Sequence, residues 1–128
     1  MITSETYVQN VLRTESEVSP ELVNRLSNPN TIRLLHGAIG ICTESGELMD
    51  ALKKGIFYGK PIDYINIKEE VSDIFWYCGI ILDALGTTMD EVFTMNITKL
   101  KARYPEKFTE YLAENRDLVK ERAILEGK

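Results

Sequence analysis

With one histidine and two cysteines, the sequence holds few of the side chains that build soft-metal centres. Cys42 and Cys78 stand apart, each in an apolar stretch, and no CxxC pair or Cys/His ligand cluster occurs. That argues against a structural zinc site, which is built from clustered Cys and His ligands. The two cysteines read as small buried hydrophobes of a reducing compartment. Positive charge is also short: 15 lysines and arginines against 20 aspartates and glutamates leave a net charge of −5. That argues against a nucleic-acid binder working by bulk charge, while local cations remain able to meet phosphates. Long apolar runs are missing. The longest uncharged one, Ile74 to Leu82, is too short to cross a bilayer. The opening MITSETYVQN lacks the basic start and apolar core of a signal peptide. The expectation is a cytoplasmic protein with neither a membrane nor a nucleic-acid partner.

Strand-period alternation, internal repeats and low-complexity tracts are absent as well. What the chain does have is helical periodicity, and the fold class it implies is all-α. At 128 residues, with 44% hydrophobic and 27% charged residues, it suits one domain over 1–128, with its core at about 31–105. Tyr7, Val8, Val11 and Leu12 mark a short helix over 3–13, and Ser19-Pro20-Glu21 caps a second that runs to about Leu26. SNPN at 27–30 is a breaker. A long helix is expected from Thr31 to Gly55, closed by Lys53, Lys54 and Gly55. Its interior glycines, Gly37, Gly40 and Gly46, suggest close approach by another helix or a ligand. Asn66 with Glu69 reads as the capping box of a second long helix, ended by Gly86. Thr88 with Glu91 opens a fourth helix, which reaches about Arg103. The tail from Phe108 onward is helical in part and frayed at its end. Residues 74–85 are apolar nearly all round, which points to burial on several sides and a partner subunit.

Two acidic pairs carry the chemistry: Glu44 with Glu47, and Glu70 with Asp73. Residues three apart share a helix face, so each pair projects from one side of its helix. If the two long helices pack antiparallel, the four carboxylates meet. Crowded carboxylates repel, and a hard divalent cation with oxygen ligands relieves them. A solvated acidic face is the competing reading. A di-iron bundle needs Glu-x-x-His, and the only histidine, His36, does not follow a Glu by three. All-carboxylate ligation favours Mg²⁺ or Mn²⁺. Lys53, Lys54 and Lys60 form one cationic group, and Asn96, Lys99, Lys101 and Arg103 another. Carboxylates for a metal and cations for phosphate together suggest metal-assisted hydrolysis of a phosphoanhydride.

The motifs ESGELMDA at 44–51, KEEVSDIFWY at 68–77 and NITKLKARYP at 96–105 resemble those of the MazG-like, all-α nucleoside triphosphate pyrophosphohydrolases. The resemblance covers about Leu35 to Phe108; Ser72 stands where many members carry glycine. It implies a MazG-like helical bundle of four main helices, with short N-terminal helices and a C-terminal helical tail, completed as a homodimer or homotetramer. It also implies that Glu44, Glu47, Glu70 and Asp73 hold Mg²⁺, with Mn²⁺ as a substitute, and that Asn96, Lys99 and Arg103 hold the nucleoside triphosphate. The implied reaction is NTP and water giving NMP and pyrophosphate, with Glu47 as the candidate proton acceptor. Lys54 is a further phosphate contact. Trp76 is either a base-pocket or an interface aromatic, and His36 either a base or ribose contact or a hydrogen-bonded structural residue. Two rivals stand beside this reading. One is a catalytically silent oligomerisation or adaptor module; the other is a specialised dUTP, dCTP or alarmone hydrolase on the same fold.

Overall fold

Local capping rules set most of the helix ends. In the computed structural model, which describes residues 3–128, α1 spans Ser4–Thr14 and α2 Pro20–Leu26. Thr3 and Thr6 close a capping box on α1, and Ser19 accepts from the Leu22 N–H at the start of α2. The SNPN breaker also serves as the start of the next helix. Asn28 Oδ1 accepts from the backbone N–H groups of Asn30 and Thr31 at 2.9 and 3.3 Å, and Pro29 takes the first helical position. Helix α3 therefore covers Pro29–Tyr58, longer at both ends than the expected 31–55. Gly55 does not end it, because that glycine gives room to Ile62: a Cβ there would sit 2.5 Å from Ile62 Cγ1. Gly59, at φ 65°, adopts the left-handed conformation that stops the helix.

Helix α4 spans Tyr64–Leu85 and is capped by Asp63, not Asn66. Asp63 Oδ1 accepts from the N–H groups of Ile65 and Asn66 at 3.0 and 3.1 Å, which leaves the Asn66 side chain free for another task. Gly86, at φ 68°, ends α4. Helix α5, Met89–Arg103, opens with the Thr88/Glu91 capping box expected of it. The tail forms two short helices, α6 over Glu110–Glu114 and α7 over Leu118–Leu125. No strand occurs among the described residues, so the all-α class holds.

The chain divides into two compact units between Ile32 and Arg33. The first contains α1, α2 and the start of α3; Tyr7, Val8, Val11 and Leu12 of α1 are all exposed. In the second unit α3 and α4 run antiparallel. Arg33 near the start of α3 pairs with Asp83 near the end of α4, while Gly55 meets Ile62 at the opposite end. Between these points the helices touch where α3 lacks side chains. A Cβ on Gly37 would strike Ile81, and one on Gly40 would fall within the Tyr77 ring. Both glycines are buried. Gly46 has nothing within 4 Å of a built Cβ, so close packing does not explain it.

Among the described residues no hydrophobic side chain is buried; the buried polar ones are Glu70 and Glu121. Phe75, Trp76 and Leu85, on the nearly all-apolar part of α4, are each more than half exposed. Gly40→Ala is expected to lower the thermal midpoint despite a helix-propensity gain of about 1 kcal/mol, and Gly46→Ala to hold or raise it. Melts followed by circular dichroism check the pair, and equal behaviour of the two variants would contradict the α3–α4 contact.

Candidate active site

The antiparallel pairing carries Glu44 and Glu47 of α3 to Glu70 of α4. One ligand atom from each of the three lies within 4.8 Å of the other two. Their surroundings differ. Glu70 is 5% exposed, and its Oε1 accepts from Asn66 Nδ2 at 2.6 Å, one helical turn earlier. That bond fixes the carboxylate and leaves Oε2 available. Glu44 is half-buried and Glu47 exposed. Burial, then the charge of Glu47, raises Glu44 above the ordinary carboxylate range, with smaller contributions from Asp73 and Glu70; a bond from Thr43 opposes them. Asp73 thus lies near enough to act on Glu44, but it is exposed and stands outside the three-carboxylate group.

Glu47 and Glu70 also line a pocket of about 660 Å³ with Thr43, Asp50, Lys54 and Lys60. That volume is within the range of small-molecule sites. Asp50 stands between the carboxylate cluster and Lys54 on the same face of α3. It accepts from Lys53 Nζ at 2.7 Å and from Lys54 Nζ at 2.6 Å. These two bonds hold its carboxyl down at about 2, and the second raises Lys54. Lys60 enters from the α3–α4 connection, where its backbone N–H donates to the Lys54 carbonyl at 3.2 Å. Asp63 lines it as well, so the pocket brings four carboxylates together with two ammonium groups.

The other sequence-marked residues lie elsewhere. Asn96, Lys99 and Arg103 share one face of α5 by their spacing, and none of them lines this pocket. Arg103 is occupied. Its Nε and Nη2 donate to the two carboxylate oxygens of Glu121 at 2.7 and 2.5 Å, and Arg116 donates to the same carboxylate at 2.6 Å. Trp76 is 61% exposed and meets Tyr77 edge-on, with ring centroids 5.0 Å apart. His36 is exposed and also meets Tyr77 edge-on, at 5.7 Å. Asp50 is not among the residues the sequence motifs mark, although Lys53 and Lys54 follow it at the ion-pairing intervals of three and four. Asn66 bonds to Glu70 and does not cap α4. The i+4 spacing from Asn66 to Glu70 was the signal for its actual role.

The model of the MazG nucleotide pyrophosphohydrolase domain matches residues 38–108, more than half of the chain. The chain belongs to this family. No curated protein and no solved structure matched it in comparison. The MazG match contains the whole pocket, the three carboxylates and α5, whereas His36, Arg116 and Glu121 fall outside it.

Glu121, 4% exposed, is held down at about 2 by its bonds from Arg103 and Arg116, below an ordinary 4.5. A folded-state value below the unfolded one contributes stability that is complete above pH 4.5 and lost as the pH falls through about 2. Glu121→Gln is expected to lower Tm at pH 7 on the order of 5 °C. The gap from the unsubstituted protein should shrink as the pH is lowered from 4.5. A gap that stays constant from pH 7 to pH 3 in parallel melts would contradict the Arg103–Glu121–Arg116 assignment.

Proposed function

We propose that this MazG domain is a divalent-cation-dependent nucleoside triphosphate pyrophosphohydrolase, converting NTP and water to NMP and pyrophosphate by attack at the α-phosphorus. The observation that carries this is a three-carboxylate group, Glu44, Glu47 and Glu70, two of whose members line one pocket together with the ammonium groups of Lys54 and Lys60. The donor set fits Mg²⁺ or Mn²⁺. All three ligands are oxygen, Glu44 is raised by burial and by its carboxylate neighbours, and Glu70 keeps an oxygen free of its Asn66 bond. Glu44, Glu47 and Glu70 would hold the cation, with Asp73 closing the set from one turn beyond Glu70. When bound, it would neutralise the phosphate chain and lower the pKa of a water at the site.

The protein's own groups do the rest. Asn66 keeps Glu70 oriented. Glu47, the most accessible of the three carboxylates, accepts the proton released by the attacking water. Lys54 and Lys60 receive the negative charge that accumulates on the departing pyrophosphate. Asn96 and Lys99 hold the nucleotide from α5 of a second copy, since neither lines the pocket of its own chain. Trp76 and His36 are offered as base or ribose contacts. A homo-oligomer, dimer or tetramer, agrees with the lack of any buried hydrophobic side chain among the described residues.

The deciding assay is pyrophosphate release from the eight common NTPs and dNTPs with Mg²⁺, with Mn²⁺ and with a chelator. Cation-dependent release with NMP as co-product is expected, and the order of rates names the preferred base and sugar. No release from any substrate would favour the silent-module rival or a less common nucleotide. Glu47→Gln and Glu70→Gln are each expected to reduce turnover more than about tenfold while retaining helicity; activity near the unsubstituted level in both would remove the cation assignment. Light scattering on a sizing column is expected to give a multiple of 14.6 kDa, and a monomer at micromolar protein would refute the assembly.

A further inference from the structure

The pocket has a direction along α3. Glu47, Asp50 and Lys54 follow at intervals of three and four residues, so they form one stripe. Glu47 and Lys54 are about 10 Å apart along the axis at ~1.5 Å per residue, a span on the scale of a polyphosphate chain laid along the helix. Lysine carries its ammonium on a four-carbon stem and does not hold a position unaided. With nothing to retain it, Lys54 is free to turn toward the other carboxylates that line the pocket, Glu47 on the same stripe and Glu70 on α4. It would there occupy the oxygens meant for the cation and vacate its place beside Asp50. Asp50 opposes this by accepting from Lys54 at 2.6 Å, and from Lys53 at 2.7 Å on its other oxygen.

We propose that Asp50 is a positioning residue that holds the Lys54 ammonium about one helical turn short of Glu47, and so defines the subsite for the β- and γ-phosphates. This builds on the hydrolase reading and extends it: the substrate lies with its α-phosphorus at Glu44, Glu47 and Glu70 and its leaving group toward Lys54 and Lys60. In this arrangement Asp50 is given no contact with the reacting atoms or the phosphates. Its effect passes through Lys54.

The sign of one substitution tests the idea. A negative charge lying near an anion site and doing nothing more would repel the anion, so removing it would strengthen binding. A positioning role requires the opposite. Titration calorimetry with inorganic pyrophosphate and Mg²⁺ on the intact protein needs no turnover, so its result is independent of whether NTP hydrolysis is observed. Asp50→Asn is expected to weaken pyrophosphate binding about fivefold and leave NMP binding unchanged. Lys54→Ala should weaken it to a similar degree, and the double variant should lose no more than Lys54→Ala alone, because the first residue works through the second. Where turnover is measurable, KM for the triphosphate should rise in Asp50→Asn with little change in kcat. Unchanged or tighter pyrophosphate binding in Asp50→Asn would overturn the proposal. So would additive losses in the double variant, or equal weakening of NMP and pyrophosphate.

Discussion

The close approach of α3 to α4 at Gly37 and Gly40 is the contact on which the site depends. Tyr77 and Ile81 fill the spaces left by two missing side chains, and the helices then lie near enough for carboxylates on both to share one volume. A methyl group at either glycine would force the axes apart. The separation would reach Glu44, one turn beyond Gly40, before any other chemically important residue. The energetic sense is unusual for a helix interior: each glycine sacrifices backbone entropy and gains a packing surface where α4 is bulky.

Electrostatics then sets two stretches of α3 apart. Around Glu44 and Glu47, with Glu70 opposite, like charge accumulates in partial burial, and the raised Glu44 carboxyl is the measure of that strain. One turn further on the charges are matched, with Asp50 held between two ammonium groups. A similar matched motif recurs in the tail, where Glu121 lies between Arg103 and Arg116. The two matched sites are ordered without outside help. The unmatched one could hold a cation, and it is this contrast, more than the count of acidic residues, that sets it apart from a structural ion pair.

The sequence revealed those features whose partners lie within a turn or two. The Thr88/Glu91 box, the Ser19-Pro20 start and the spacing within each acidic pair are of this kind, and all appear in the structure at their places. Where two local solutions compete, the sequence alone does not choose. Asp63 takes the cap that Asn66 was equally able to supply, which frees Asn66 for Glu70. Gly55 looked like a terminator and instead makes room for Ile62, while Gly59 provides the left-handed residue. Partners set by tertiary packing were beyond reach. Nothing near Arg103 in the chain indicates that its guanidinium meets Glu121, because that meeting depends on how α6 and α7 fold back onto α5.

The two halves of the acidic cluster come from neighbouring helices joined by a connection of only a few residues, from Gly59 to Asp63. The cluster is therefore topologically local. Closing so short a segment costs little chain entropy, and contacts of low sequence separation form early in folding. A cation gripping Glu44 and Glu70 would act as a clasp on a helical hairpin, joining its two arms between the connection and the Gly40–Tyr77 contact without recruiting the α7 tail. Changes to that tail can accordingly alter the durability of the protein while leaving the geometry of the acidic cluster intact.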